Sequence, residues 1–269
     1  MSTLEKIGKS DLHEFLRNCQ KYADFDLPIV YRNTLAHLLA HDGKAVIPSE
    51  LEHIKALEVQ WYDGIAKGEP DYSVYGSPFY FCDIWVCWIR YSRKYLKEIQ
   101  KPSSLFTKSI VSDMKYVTSI LDLGCGFAYT TAALKEIFPL AKVTGTNLKD
   151  TIQYKSASAL GLQKDFSIVS DYKNQQSDFI FASEYFEHID APVEHLLDIL
   201  KHCGPKYMLI ASTFSSPAIG HFPQYRHNGE WMDGKKISRL FNNTLREHGY
   251  EKIKTRCWNG KPAYWKKVQ

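Results

Sequence analysis

The sequence has few features that would assign it to a specialised class of protein. Its six cysteines form no Cys-x-x-Cys pair and show no zinc spacing with histidine, so we expect reduced thiols and no metal site. The most apolar stretch, residues 79–89, contains Asp83 and is well short of the roughly 20 residues that a membrane-spanning helix needs. We therefore expect no membrane partner.

Strong charge and targeting signals are also missing. The 34 lysines and arginines exceed the 30 acidic residues too slightly to indicate a nucleic-acid or membrane surface. The first residues are polar and lack the apolar run of a signal peptide. With 269 residues, of which 44% are hydrophobic, the chain can build a sizeable core. We expect a cytoplasmic globular protein, and the oligomeric state is left open.

The chain divides into two regions of different pattern. Residues 10–102 show helical periodicity without intervening strands, and residues 100–104 (QKPSS) resemble a linker. We therefore predict a helical N-terminal domain over residues 1–104, which would act as a cap or bind a partner or substrate. A second domain is predicted over residues 105–269.

In the second region short apolar runs alternate with amphipathic segments. The sequence predicts strands at 118–123, 142–146, 166–169, 178–182 and 207–212. It predicts helices near 127–138, 150–160, 191–202 and 235–248. This alternation is typical of an α/β fold with a doubly wound, mostly parallel sheet. The Asn259-Gly260 pair predicts that the sheet ends in an antiparallel hairpin.

The stretch ILDLGCGFAYTTAAL, residues 120–134, places an aspartate and two glycines between the first predicted strand and its helix. Ligands of open parallel sheets bind at the carboxyl ends of such strands. Phe127 stands where a Walker loop needs lysine. A dinucleotide-binding turn would need glycine at Tyr129 and an acidic residue at Asn147, and Asp122 would repel a pyrophosphate. The turn favours a ligand that carries an ammonium group and no phosphate.

This turn resembles the first motif of the class I S-adenosylmethionine-dependent methyltransferases, which runs hydrophobic-Asp-hydrophobic-Gly-x-Gly-x-Gly. Asp122, Gly124 and Gly126 match that motif, and Ala128 replaces its third glycine. The resemblance covers roughly residues 105–269. It implies a Rossmann-like fold and S-adenosylmethionine as the cofactor.

Three later segments resemble further motifs of the same family. Asn147 occupies the place of the acidic residue that binds the ribose hydroxyls, and an amide can also donate and accept hydrogen bonds. Asp171 and Tyr172 follow the third strand, where the resemblance implies contacts with adenine, and Glu184 follows the fourth. The cofactor-binding residues implied by the resemblance are Asp122, Gly124, Gly126, Asn147, Asp171, Tyr172 and Glu184.

Candidates for catalysis and acceptor binding lie in three loops. His221 is a natural proton acceptor because the unperturbed pKa of histidine is near neutral, and Glu187 and His188 are two further candidates. The segments 71–81 and 220–229 are expected to form opposite walls of an acceptor pocket. The candidate acceptor-binding residues are Tyr75, Tyr225, Arg226 and His227.

Three functions remain open at this point. DNA is disfavoured as the acceptor, because no Asp/Asn-Pro-Pro-Tyr motif follows strand four and no cysteine follows a proline. The leading hypothesis is therefore a methyltransferase that acts on a small molecule or an unidentified acceptor. Ala128 and Asn147 depart from the family pattern, as a catalytically silent cofactor-binding interaction protein would. An NAD(P)-dependent oxidoreductase is disfavoured by Tyr129 and Asn147.

Overall fold

The computed structural model describes residues 48–77, 79–80, 84, 87–257 and 262–268. The helices predicted before residue 48 and the Asn259-Gly260 turn lie outside these residues. In the part of the chain that is described, no helix has both the length and the apolar character needed to cross a membrane.

From residue 119 onward the chain consists of parallel strands connected mostly by helices, followed by two antiparallel strand pairs. The helices are α1 (Pro48–Ala66), α2 (Arg93–Gln100), α3 (Leu105–Met114), α4 (Tyr129–Ile137), α5 (Ile152–Lys164), α6 (Pro192–Cys203) and α7 (Gly234–Glu247). The strands are β1 (Ser119–Leu123), β2 (Lys142–Thr146), β3 (Ser167–Val169), β4 (Phe179–Ser183), β5 (Tyr207–Ala211), β6 (Gln224–His227), β7 (Glu230–Asp233), β8 (Tyr250–Lys254) and β9 (Ala263–Lys267). Single turns of 3₁₀-helix span Tyr72–Gly76 and Phe186–His188, and a π-helical turn spans Trp88–Ser92.

Seven strands form one sheet in the order β3-β2-β1-β4-β5-β9-β8. The first five are parallel, whereas β9 runs antiparallel to both β5 and β8. The predicted α/β fold, with a mostly parallel sheet that ends in an antiparallel pair, is confirmed. Strand order reverses between β1 and β4, and Asp122 pairs there with Gly145 on one side and Phe181 on the other. A ligand is expected at the carboxyl ends of these strands.

Two elements of the structure were not predicted. Helix α3 begins directly after the predicted linker, where Ser104 and Thr107 cap each other reciprocally, each accepting a hydrogen bond from the other's backbone N–H. The β6–β7 hairpin lies in what the sequence suggested was an irregular loop. Its turn contains Asn228 and Gly229, both with positive φ, as a tight two-residue hairpin turn requires. This Asn-Gly pair is the signal that would have located the hairpin.

Residues before position 104 complete the core on both faces of the sheet. On one face, Leu57 and Trp61 of α1 and Val74 pack with residues of β4, β5 and α6. On the other face, Tyr95 and Leu96 of α2 pack with residues of β1, β4 and α4. The division into domains at residue 104 stays a prediction.

Substitution of Trp61 by alanine tests how much α1 contributes to this core. The Trp61 side chain is fully buried, and its indole N–H donates a hydrogen bond to the main-chain carbonyl of His221 at 2.8 Å. We expect Trp61→Ala to lower the free energy of unfolding by about 3–5 kcal/mol in urea denaturation, because it leaves a large cavity. Val59→Ala, at an exposed position of the same helix, is the control and should change it by less than about 0.5 kcal/mol. Equal stability of the two variants would contradict the packing of α1 on the sheet.

Candidate active site

A cavity of about 1140 Å³ opens at the carboxyl ends of the parallel strands. It is lined by the loops that follow β1 to β5 and by aromatic residues that precede α2. Sites for one small ligand usually measure about 300–1,000 Å³. The volume therefore allows a cofactor and a second molecule to be held together.

The glycine turn after β1 is fixed to β2 by three hydrogen bonds. The N–H groups of Gly124 and Cys125 donate to the side-chain oxygen and the carbonyl of Thr146, each at 3.0 Å. The Asn147 amide donates to the carbonyl of Gly126 at 2.7 Å. Ala128 has a φ of 64° and caps the start of α4, so the turn keeps the left-handed conformation where the family motif has glycine.

Asp122 is buried near the carboxyl end of β1 and lines the cavity. Its carboxylate accepts hydrogen bonds from the hydroxyls of Thr130 and Thr131 at the start of α4. Burial raises the pKa of this carboxyl to about 7, although both hydrogen bonds act in the opposite direction. A positively charged ligand group beside Asp122 would favour its ionised form.

Asn147 lines the cavity, but its amide also has a structural role. While its N–H₂ group donates to Gly126, its oxygen accepts a hydrogen bond from the Leu148 N–H at 2.8 Å. The Asn147 N–H₂ group can donate one further hydrogen bond, and its oxygen can accept one more. The predicted contact with ribose therefore stays compatible with the geometry and stays a prediction.

The two residues predicted to contact adenine lie differently. Tyr172 lines the cavity, and its hydroxyl donates to Asp198 at 2.6 Å. Asp171 is exposed and does not line the cavity, because its carboxylate turns back to accept from the Lys173 N–H at 2.9 Å. Its neighbour Ser170 occupies the lining instead.

Sequence analysis missed Tyr185 and His195, which also line the cavity. The Tyr185 hydroxyl lies 2.8 Å from Nε2 of His195 on α6, and its ring packs against Gly124. Burial raises the pKa of Tyr185 and lowers that of His195, so both groups stay neutral near pH 7. Tyr185 lies in the SEYFEH motif, but no spacing rule connects it with a histidine ten residues later.

The loop after β4 brings two of its three candidates to the cavity. Glu184, with a φ of 53°, lines the cavity and accepts a hydrogen bond from the Tyr95 hydroxyl at 3.4 Å. His188 also lines it, and its Nδ1 lies 3.1 Å from the Tyr75 hydroxyl. Glu187 is fully buried outside the lining, where its carboxylate accepts from the Thr213 N–H at 2.9 Å. This position excludes Glu187 from direct contact with a ligand in the cavity.

His221 has the geometry of a proton acceptor. Its Nδ1 donates to the carbonyl of Ser216 at 2.8 Å, which fixes the neutral tautomer that leaves a lone pair on Nε2. The ring lies perpendicular to that of His188, with 4.8 Å between centroids. Burial, and secondarily the nearby His221, lowers the pKa of His188 well below the usual value, so His188 stays neutral.

Three predicted acceptor-binding residues lie outside the cavity lining, because β6 turns away into its hairpin. Tyr225 is fully buried, and its ring packs at right angles to that of Phe214. Arg226 forms an ion pair with Asp190 at 2.8 Å, and His227 lies 2.9 Å from the carboxylate of Glu194. Tyr75 is the one predicted acceptor-binding residue that the structure brings to the cavity.

The segments 71–81 and 220–229 both reach the cavity, but they contact each other. Added to Gly220, a Cβ would lie 2.3 Å from the Tyr75 hydroxyl and 2.4 Å from Nδ1 of His188. Tyr75 and His221 therefore belong to one connected wall. The expected arrangement of these segments as opposite walls is not what the structure shows.

Comparison with known proteins gives one family match. Residues 121–210 match a family model described as a methyltransferase domain. No curated protein matches the chain. These residues are therefore similar to a methyltransferase domain, and the resemblance to the class I S-adenosylmethionine-dependent methyltransferases is confirmed.

Similar solved structures support the same fold. A Nostoc punctiforme protein assigned as an O-methyltransferase is 12% identical, with 79% of this chain and 68% of that chain covered and a TM-score of 0.51. An O-methyltransferase family protein from Burkholderia thailandensis is 12% identical, covers 69% of this chain and has a TM-score of 0.45. The match spans 60% of the length of the Burkholderia protein. At 12% identity the likeness to the Nostoc punctiforme protein shows a common fold.

Alanine substitutions at the two glycines of the turn separate backbone strain from steric fit. Both have positive φ, but a Cβ on Gly124 would lie 2.4 Å from the Tyr185 ring, whereas one on Gly126 would lie 3.7 Å from Ile84. Each variant carries about 1–2 kcal/mol of left-handed strain. Gly124→Ala should lose a further 1–3 kcal/mol or so from overpacking, measured by urea denaturation. Equal losses of unfolding free energy in the two variants would show that the Tyr185 ring moves aside without an energetic cost.

Proposed function

We propose that this chain transfers a methyl group from S-adenosylmethionine to a small-molecule acceptor bound in the same cavity. The observation that carries the proposal is the Asp122 carboxylate, buried at the end of β1 beside the glycine turn. No lysine or arginine occurs among the described residues that line the cavity. This lining suits a ligand with a positive charge and does not suit the pyrophosphate of a dinucleotide.

Five cavity residues would hold the cofactor. Asp122 would face its ammonium group, and the left-handed backbone of Gly124 and Gly126 would allow close approach to the ligand. Asn147 and Tyr172 lie after β2 and β3, where they would contact the adenosine. When bound, S-adenosylmethionine supplies a methyl group that is already activated by a positively charged sulfur.

The remaining lining residues would position the acceptor and receive its proton. Tyr75 covers one side of the cavity, and the Gln153 amide of α5 holds its carbonyl at 2.7 Å. His221 presents a free lone pair on Nε2 and would act as the general base. His188, neutral and hydrogen-bonded to Tyr75, would position this wall.

A catalytically silent binding protein is the second candidate. It was suggested by Ala128 and Asn147, but Ala128 keeps the left-handed geometry of the motif and Asn147 supports the turn. Neither substitution therefore removes the site. Formation of S-adenosylhomocysteine in the presence of an acceptor distinguishes the two functions. A cytoplasmic location and the exclusion of DNA as acceptor stay predictions.

The proposed cofactor predicts a characteristic pH dependence of binding. Asp122 has a pKa of about 7 in the folded protein, above its ordinary value of 3.8, so ionising it costs stability as pH rises between these values. An ammonium beside it relieves this cost by favouring the ionised form. The affinity for S-adenosylhomocysteine should therefore rise by up to about tenfold per pH unit below pH 7 and level off above it.

Calorimetric titrations between pH 6 and 8.5 measure this effect. Asp122→Asn should bind S-adenosylhomocysteine more weakly and without this pH dependence, and NADH should produce no binding heat with either protein. Binding of NADH without binding of S-adenosylhomocysteine would overturn the proposed function. An unchanged pH profile in Asp122→Asn would remove this carboxylate from the cofactor site.

The general base is tested by His221→Gln. We expect kcat to fall by about 10²–10⁴-fold with an active acceptor, because the acceptor proton loses its receiver. The affinity for S-adenosylhomocysteine should change by less than about threefold, equivalent to roughly 0.65 kcal/mol. His248→Gln is a matched control, since its Nδ1 also bonds a main-chain carbonyl at 2.8 Å but lies outside the cavity. Normal turnover by His221→Gln would exclude His221 as the base.

A further inference from the structure

We infer that the acceptor is an uncharged planar hydroxyaromatic compound, a phenol in its simplest form, held between aromatic side chains and His221. This inference rests on the proposed methyl transfer and specifies its substrate class. Three observations support it. They are the aromatic rings that line the cavity, the partners of its charged groups, and the tautomer of His221.

Aromatic rings from two segments line the cavity. Before α2, Tyr72 and Tyr75 stack with 6.2 Å between ring centroids, and Tyr80 meets Tyr75 edge-on at 4.9 Å. Trp88 and Tyr129 lie 5.7 Å apart in the same lining. Such rings favour a flat apolar ligand that can stack on a face or meet an edge.

The charged groups of the lining favour a neutral acceptor. Among the described lining residues the carboxylates are Asp122, Glu184 and Asp190. Asp122 accepts from two threonines, Glu184 from Tyr95, and Asp190 forms an ion pair with Arg226. An acceptor carboxylate would meet negative charge with no lysine or arginine in the described lining. With the cofactor's ammonium group beside Asp122, an acceptor ammonium would have only Glu184 and Asp190 left, which are engaged with Tyr95 and Arg226.

The chemistry of His221 selects a phenolic hydroxyl over an aliphatic one. Phenols resemble tyrosine, with a pKa of about 10, whereas water, as a guide to aliphatic alcohols, has a pKa near 15.7. An imidazole base is therefore much better matched to a phenol than to an aliphatic alcohol. The phenolic O–H bond breaks and its proton passes to Nε2. An oxygen–methyl bond forms as the sulfur–methyl bond breaks, and that electron pair stays on sulfur.

Three phenols of similar size test the charge of the acceptor directly. They are 4-ethylphenol, which is neutral, 4-hydroxyphenylacetate, which is an anion, and tyramine, which is a cation. Each is titrated calorimetrically into the full chain saturated with S-adenosylhomocysteine, and turnover with S-adenosylmethionine is measured separately. We expect 4-ethylphenol to bind at least tenfold more tightly and to have the highest kcat/KM.

Two variants separate charge from packing. Ala218 lines the cavity, and Ala218→Lys should shift the preference toward 4-hydroxyphenylacetate by supplying a cation. Tyr72 is half exposed, so Tyr72→Ala should weaken 4-ethylphenol binding severalfold without unfolding the protein. Tyr116→Ala, at an exposed tyrosine outside this cavity, should leave that binding unchanged.

The outcomes distinguish a failure of the phenol inference from a failure of the proposed methyl transfer. If S-adenosylhomocysteine does not bind, the proposed function fails. If S-adenosylhomocysteine binds but 4-hydroxyphenylacetate or tyramine is preferred, the neutral acceptor is wrong. If S-adenosylhomocysteine binds and none of the three phenols binds or is methylated, the phenol class is overturned while the cofactor site stands.

Discussion

The site is built around a carboxylate, Asp122, that is buried without a cationic partner among the described residues. Two threonine hydroxyls from α4 satisfy part of its hydrogen-bonding capacity, and the N-terminus of that helix adds a favourable field. Burial nevertheless favours the neutral form of the acid, as the raised pKa shows. In the free protein near neutral pH, ionising this acid therefore carries an energetic cost. A cationic ligand is the group that would complete this environment.

The close packing of β2 against the glycine turn depends on the same part of the structure, the surroundings of Asp122. A Cβ on Gly145 would lie 2.8 Å from the sulfur of Cys125 and 2.9 Å from the hydroxyl of Thr131, one of the two donors to Asp122. Glycine at this position therefore lets β2 approach the turn closely enough for Thr146 and Asn147 to hold it. The geometry of the turn is thus set by β1, β2 and α4 together.

The residues before position 104 contact and position the cavity wall to which Tyr75 and His221 belong. The Trp61 indole donates to the carbonyl of His221, and the Tyr62 hydroxyl accepts from the N–H of Ala218 at 3.2 Å. From the cofactor side, Gln153 of α5 holds the carbonyl of Tyr75. Movement of α1 would therefore displace His221, the proposed base, together with the adjoining Tyr75. This connection gives the N-terminal region a direct part in the site.

Features that depend on residues close together in sequence were predictable, whereas features that depend on contacts between distant residues were not. The five parallel strands were located because each is a short run between amphipathic segments. Four of them, β1, β2, β4 and β5, are mostly buried, whereas β3 is only half buried. The glycine turn was located because its motif is local. The β6–β7 hairpin was missed although Asn228-Gly229 marks its turn, and so Tyr225, Arg226 and His227 were assigned to the acceptor. The pairing of Tyr185 with His195 and the bond from Trp61 to His221 depend on tertiary contacts that no local pattern contains.

The two adjacent histidines show why tertiary structure was needed to assign the base. In sequence both are candidates, with His221 ahead of His188, but nothing there shows which nitrogen of either ring is available. In the structure His188 is held neutral by burial, and its Nδ1 is engaged with Tyr75. His221 uses Nδ1 to bond Ser216 and keeps a lone pair on Nε2. Because their ring centroids lie only 4.8 Å apart, two positive charges would repel strongly, so the pair can hold one transferred proton at a time. These hydrogen bonds support the proposal that His221 receives the acceptor's proton while the neutral His188 keeps Tyr75 in place.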